Sequence, residues 1–116
     1  MIGKAHSLTF DEYRDLARQF AIYPNIGSNV QYATLGLVGE AGEIANKVKK
    51  MMRDHDGVIT DETRGALKSE LGDVLWYAAM LAVEIGVSFE DVAEGNLNKL
   101  NDRALRGRLQ GAGDER

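Results

Sequence analysis

The chain has 116 residues, enough for one domain and too few for two independent hydrophobic cores. With 44% hydrophobic and 28% charged residues, one proline and no cysteine, its composition is that of a globular protein without disulfides or thiolate metal sites. The formal net charge of −4 gives no broad positive field, so we expect no binding to duplex nucleic acid.

The apolar segments of the chain are short. The longest unbroken apolar run, residues 74–83, is about half the length of a bilayer-spanning helix. No apolar stretch follows Lys4 within the first 13 residues, so no secretory signal is expected there. We therefore expect a cytoplasmic protein that does not enter membranes.

Two helices are predicted in the first half of the chain. Capping boxes, in which Ser or Thr precedes Glu or Gln by three residues, mark their starts: Thr9 with Glu12, and Ser28 with Gln31. The apolar periodicity behind these caps predicts helices over residues 10–22 and 29–52, separated by a short breaker cluster around Pro24.

Two further helices are predicted in the second half. Thr60, followed by two acidic residues, is a typical start for a third helix that runs to Ile85. Gly86 is a natural left-handed terminator for it. Ser88 then caps a fourth helix over residues 89–106.

The pattern of elements predicts an all-α fold. No alternating strand pattern bounded by turns is present. We assign residues 1–106 to one helical domain, and residues 107–116 to a glycine-rich C-terminal tail without apolar periodicity.

One five-residue pattern occurs in both the second and the third helix: an acid, an apolar residue, glycine, an acid and a β-branched residue. The two copies are Glu40-Ala41-Gly42-Glu43-Ile44 and Glu70-Leu71-Gly72-Asp73-Val74. At about 100° per residue, the first acid of each copy lies at the margin of the apolar stripe, and the second lies further out on the same side. The stripes are Leu37, Ala41, Ile44 and Val48 in helix two, and Leu67, Leu71, Val74 and Ala78 in helix three.

The glycine within each copy is unfavourable in a helix. Gly42 and Gly72 each cost up to about 1 kcal/mol relative to alanine in a helix interior. We therefore expect the backbone to lie close to some other group at both positions.

The acids of the two copies are candidate metal ligands. If helices two and three pack antiparallel, their acids converge at one edge of the groove: Glu40, Glu43, Glu70 and Asp73. Four carboxylates would repel each other, and a hard divalent cation would relieve the repulsion. Oxygen-only ligands favour Mg²⁺ or Mn²⁺ over zinc, and neither copy has the Glu-x-x-His spacing of ferritin-like di-iron sites. The alternative is a pair of solvated acidic faces.

Carboxylate-bound magnesium commonly keeps positions open for phosphates, so phosphate-binding groups are expected nearby. Lys47 lies close to the direction of Glu40 on helix two, where the alternative role is a salt bridge with Glu43. Helix four carries three further candidates on one face: Asn96, Lys99 and Arg103. For these the alternative is a solvated basic face.

The aromatic and histidine side chains give further expectations. Tyr77 projects from the same face as the acids of helix three, so it could bind phosphate or stack on a base; a core position is the alternative. Trp76 and Met80 point away from the stripe, which predicts exposure in a monomer and burial between subunits. His6 and His55 lack ligand spacing and are expected at the surface.

The segment Leu37–Glu43, together with Glu70-Leu71-Gly72-Asp73, resembles the MazG-like nucleotide pyrophosphohydrolase family. The resemblance covers helices two to four, continuing through Tyr77 to the Asn96–Leu100 segment and Arg103. The last six residues are similar to the ends of short, phage-type members.

The resemblance implies a four-helix bundle completed by oligomerisation into a homodimer or homotetramer. It implies that the four acids bind Mg²⁺ and that the protein hydrolyses nucleoside or deoxynucleoside triphosphates between the α and β phosphates, releasing a monophosphate and pyrophosphate. The nucleotide would be positioned by the phosphate and base candidates: Lys47, Tyr77, Asn96, Lys99 and Arg103. The family signature EExxE begins here with Gly39 in place of glutamate, which removes a carboxylate that could activate water.

Two other interpretations remain open. The chain could be a non-catalytic helical module that binds metal or a basic partner. It could also be a narrower enzyme of the same superfamily, such as a phosphoribosyl-ATP pyrophosphohydrolase or a dimeric dUTPase. The first predicts metal binding without pyrophosphate release, and the second predicts one strongly preferred substrate.

Overall fold

The computed structural model describes residues 7–107, which contain four α-helices and no strand. The helices are α1 (Phe10–Arg18), α2 (Val30–Asp54), α3 (Asp61–Ile85) and α4 (Phe89–Leu105). The predicted all-α fold is confirmed. None of these helices is, taken singly, both long and apolar enough to cross a membrane. His6 and the predicted tail from residue 108 onward lie outside the described residues, and the division at residue 106 stays a prediction.

Local caps set most of the helix starts where the sequence predicts them. The Thr9 side chain accepts a hydrogen bond from the Glu12 N–H at 3.0 Å, and Glu12 accepts one from the Thr9 N–H at 3.2 Å, completing the capping box. The Thr60 and Ser88 side chains cap α3 and α4, accepting from the N–H groups of Thr63 and Asp91 without the reciprocal bond of a capping box. Gly86 ends α3 with a left-handed φ of 75°, as predicted.

Helices α2 and α4 end within two residues of the predicted positions, at Asp54 and Leu105, but two other predicted boundaries are wrong. Asn29, not Ser28, caps α2, because its side chain accepts from the Tyr32 N–H at 3.1 Å and also donates to the Pro24 carbonyl at 2.8 Å. Helix α1 ends at Arg18 instead of residue 22. The chain must turn there because Tyr23 is buried in the core and bound to α3.

The loop between α1 and α2 is held by one carboxylate of α3. Glu84 accepts hydrogen bonds from the Tyr23 hydroxyl and the Gly27 N–H, both at 2.7 Å, and from the Asn29 N–H at 2.5 Å. Because Asn29 caps α2, this carboxylate also sets where α2 begins against α3.

Helices α2 and α3 form the main antiparallel pair, while α1 packs against α3 and α4. Asp11 of α1 joins the start of α4, accepting from the Ser88 hydroxyl at 3.0 Å and the Glu90 N–H at 3.1 Å. The rings of Phe10 and Phe89 meet edge to face at 5.2 Å beside this junction. Helix α4 bends away from α3 by 101°.

The prediction that Trp76 and Met80 are exposed in a single chain is wrong. Met80 is completely buried, and Trp76 is half-buried and donates its indole N–H to the Ala17 carbonyl at 3.1 Å. Helix α1 covers this flank of α3, so the apolar surface that the sequence assigns to a subunit interface is used within the chain.

The predicted apolar stripes are partly exposed, and the predicted close approach at Gly42 and Gly72 is not found within the described chain. Ala41 and Leu71 are exposed, although they belong to the predicted stripes. A Cβ added at Gly42 or Gly72 would have no described atom within 4 Å, so no part of the described chain requires glycine there. The close approach occurs instead at Gly36, whose missing side chain leaves room for the Tyr77 ring.

Candidate functional site

Three of the four predicted metal ligands come together between α2 and α3. One carboxylate oxygen each from Glu40, Glu70 and Asp73 can be chosen so that all lie within 4.8 Å of one another. Glu40 and Glu70 are half-buried, and Asp73 is exposed. We call these three residues the carboxylate triad. Its oxygens are close enough to share one cation.

Glu43 lies outside the triad. It is exposed on α2, three residues after Glu40, and is not one of the three residues whose oxygens converge. Its negative charge still acts on Glu40. Glu43, the fourth predicted ligand, therefore lies near the triad but does not belong to it.

Within the triad, the surroundings change the pKa of Glu40. Partial burial raises the pKa of its carboxyl group above the usual value, and hydrogen bonding to Glu70 raises it further. The negative charges of Asp73, Glu70 and Glu43 act in the same direction. Like charges crowded in this way favour either a bound proton or a bound cation.

Lys47 lies at one end of the triad. Its Nζ atom is 3.7 Å from Glu70 Oε1, so among the described residues it pairs across the helices with α3. The predicted alternative, a salt bridge with Glu43 along α2, is not the arrangement found. Lys47 also lines a shallow groove that includes Lys50 and His55, and His55 is exposed as predicted.

Tyr77 lies at the opposite end, half-buried, against the backbone of Gly36. Its ring centroid is 6.3 Å from that of Tyr32. The Tyr32 ring stacks on the Tyr23 ring, with a centroid distance of 4.7 Å and an interplanar angle of 11°. Burial raises the pKa of Tyr77, as do Tyr32 and the negative charges of Glu40 and Asp73. The phenol therefore remains a hydrogen-bond donor near the triad at neutral pH.

Three residues near the triad were missed by sequence reasoning. Gly36 and Tyr32 precede Glu40 by four and eight residues, so helical spacing could have placed them on the same side of α2. Tyr13 comes from α1, and its pKa is raised by burial and by the charge of Asp73. No spacing rule relates residues on separate helices, so this approach had no sequence signal.

The α4 candidates lie apart from the α2 side of the site. In the described range, α4 packs against α1 and α3 but not against α2, which carries Glu40 and Lys47. Asn96 is exposed, and Arg103 is buried with 4% exposure. Lys99 and Arg103 each have an interaction partner within the chain. Their predicted contact with substrate stays a prediction.

Comparison with known proteins identifies the family of the chain. The family model described as the MazG nucleotide pyrophosphohydrolase domain matches residues 29–106, which span α2 to α4. The gene 37 protein of Mycobacterium phage L5 is 54% identical over 111 residues, covering 91% of this chain and 97% of the phage protein. No solved structure matches significantly. The predicted resemblance, including the likeness to a short phage protein, is confirmed: the chain belongs to the MazG nucleotide pyrophosphohydrolase domain family.

Proposed function

We propose that this chain is a divalent-metal-dependent enzyme that hydrolyses nucleoside or deoxynucleoside triphosphates between the α and β phosphates. The products would be the nucleoside monophosphate and pyrophosphate. The observation that carries the proposal is the convergence of three carboxylates between α2 and α3 within a domain of the MazG family.

The donor set fits a hard cation. The triad offers only carboxylate oxygens, which suit Mg²⁺, with Mn²⁺ as a substitute, better than zinc. The raised pKa of Glu40, which comes from burial first and then from Glu70 and the other nearby negative charges, supports a cation at this position. Glu40, Glu70 and Asp73 would hold the ion, and Glu43 is close enough to Glu40 to act with them.

A divalent cation held there would neutralise charge on the phosphates and lower the pKa of the attacking water. The protein's own groups would orient the nucleotide across the triad. Lys47 provides a positive charge at one end of the triad, and Tyr77 provides a hydroxyl and an aromatic face at the other. We propose that Lys47 binds the phosphates and that Tyr77 contacts the nucleoside end of the substrate.

The proton of the attacking water needs an acceptor. Gly39 has no carboxylate to offer, although the family signature has a glutamate at this position. Glu43 is the exposed carboxylate beside the triad, so it is available either to complete the cation's ligands or to accept this proton.

The test is a panel of ribo- and deoxyribonucleoside triphosphates assayed with Mg²⁺ or Mn²⁺, following pyrophosphate and orthophosphate separately. We expect pyrophosphate release that Asp73→Ala reduces by at least about a hundredfold, because a direct ligand of the cation is lost. Asp91→Ala, which removes an exposed acid in the first turn of α4, is the matched control and should retain activity.

Other outcomes of the assay would overturn the proposal or favour an alternative function. Orthophosphate as the only product would exclude cleavage between the α and β phosphates, and near-normal turnover in Asp73→Ala would overturn the site assignment. Metal binding without any hydrolysis would favour the non-catalytic module. A single strongly preferred substrate would favour the narrower enzyme.

A further inference from the structure

Gly36 differs from every other glycine in residues 7–107. A Cβ built on its backbone would overlap three ring atoms of Tyr77, namely Cδ1, Cε1 and Cζ. The other helical glycines in this range, including Gly39 and Gly42 on the same helix, have no atom within 4 Å of such a Cβ. Gly36 is therefore the position where α2 must lack a side chain for α3 to pack as it does.

The contact occurs one helical turn from the triad on both helices. Gly36 precedes Glu40 by four residues, and Tyr77 follows Asp73 by four residues. The Tyr77 ring is also held by Tyr32, one turn before Gly36, and by Trp76, whose ring meets it edge to face at 5.0 Å. These neighbours leave the ring little freedom to move sideways.

A side chain at Gly36 would therefore displace the ring as a whole. With Tyr32 and Trp76 packed beside it, the ring would have to leave the α2 backbone. Its hydroxyl would then move relative to Glu40 and Asp73. A displaced ring would lose its contact with the bound nucleotide, and loss of such ground-state contact raises KM.

We propose that Gly36 is a positioning residue, which sets the place of the Tyr77 ring beside the carboxylate triad and thereby the place of the nucleoside end of the substrate. The proposal rests on the function proposed above. It assigns Gly36 no contact with substrate, because all of its effect passes through Tyr77.

The decisive experiment is a double-mutant cycle measured as steady-state kinetics with Mg²⁺ and the best substrate of the panel. Gly36→Ala should raise KM at least about tenfold with a smaller change in kcat, because ground-state contact with the nucleoside is lost. In a Tyr77→Ala background the same substitution should change KM by less than about twofold. Gly65→Ala, at an open position in α3, controls for the gain in helix propensity.

Three kinetic results would overturn the proposal. The first is a KM for Gly36→Ala equal to that of the wild type. The second is an equal effect of Gly36→Ala in both backgrounds, which would show that Gly36 acts through the helix. The third is a normal KM for Tyr77→Ala alone, a measurement that does not depend on whether Gly36→Ala folds.

Near-ultraviolet circular dichroism separates this inference from the proposed function, because it reports the packing of Tyr77 and Trp76 without any substrate. We expect Gly36→Ala to change the spectrum and Gly65→Ala to leave it unchanged. An unchanged spectrum in Gly36→Ala would overturn the inference even if the wild type hydrolyses nucleotides. A wild type that neither binds nor hydrolyses any triphosphate would overturn the proposed function and the nucleotide role of Gly36 together.

Discussion

At the residue scale, the triad combines repulsion with a compensating charge from Lys47. Glu40, Glu70 and Asp73 share a small volume, and Lys47 reaches Glu70 from the opposite helix at 3.7 Å. An ion pair this long and partly exposed contributes little stability, so it does not offset the repulsion felt by Glu40. We therefore expect a bound cation to relieve this repulsion more than Lys47 does.

Glu40→Gln tests this balance through stability. Without metal, the variant should be more stable than the wild type, because one of the mutually repelling charges is removed. Mg²⁺ at a hundredfold excess over its Kd should stabilise the wild type by about 2.7 kcal/mol and the variant much less. Urea unfolding with and without Mg²⁺ measures both effects.

Glu94→Gln, which neutralises an exposed carboxylate on α4, is the control for a general loss of negative charge. It should respond to Mg²⁺ as the wild type does. Equal stabilisation of Glu40→Gln and the wild type by Mg²⁺ would contradict the assignment of Glu40 as a ligand.

At the scale of elements, short polar contacts fix the ends of helices relative to one another. Asp11 joins α1 to the start of α4, and Glu84 joins α3 to the loop before α2. Burial alone would raise the pKa of Glu84, but hydrogen bonds from Gly27, Asn29 and Tyr23 outweigh it, so the net pKa is lowered. Burial, together with the hydrogen bond to Glu84, raises the pKa of Tyr23 to about 12.

The lowered pKa makes the contribution of Glu84 depend on pH. Since the unfolded chain takes up this proton more readily, the stabilisation is complete above pH 4.5 and is lost as the pH falls through the folded-state pKa. Glu84→Gln should therefore lower the free energy of unfolding by about 2 kcal/mol at pH 7. The difference from the wild type should shrink toward pH 3, as measured by urea unfolding over this range.

Glu94→Gln again serves as the control and should show no such pH-dependent difference. A gap between wild type and Glu84→Gln that stays constant from pH 7 to pH 3 would show that the carboxylate charge is not what holds the loop.

At the scale of the whole molecule, the single chain leaves much apolar surface uncovered. Large hydrophobic side chains more than 60% exposed include Phe20, Leu35, Val38 and Leu71. Phe10, Phe89, Val92 and Leu97 also line an open apolar groove between α1 and α4. These features favour the predicted homodimer or homotetramer.

Association is measurable by sedimentation or light scattering. We expect the wild type at a multiple of 12.7 kDa and Leu97→Glu at a smaller mass, because a charge would be placed in the apolar groove. Val58→Glu, in the α2–α3 loop, is matched in exposure at 60% against 64% for Leu97 and should leave the mass unchanged. A monomeric wild type would contradict the prediction.

The sequence alone was sufficient for the features that depend on neighbours within about four residues. The Thr9, Thr60 and Ser88 caps and the Gly86 terminator are such features, because capping bonds join atoms of one helical turn. The acidic pattern and the family are likewise visible in short segments of sequence.

Only the tertiary structure decided which faces of the helices meet. It placed α1 over Trp76, brought Tyr13 near Asp73, left Glu43 outside the triad and put the close contact at Gly36. Each of these depends on how one helix is rotated and inclined against another. Packing of the whole chain sets that rotation, and a helical projection of a single segment contains no information about it.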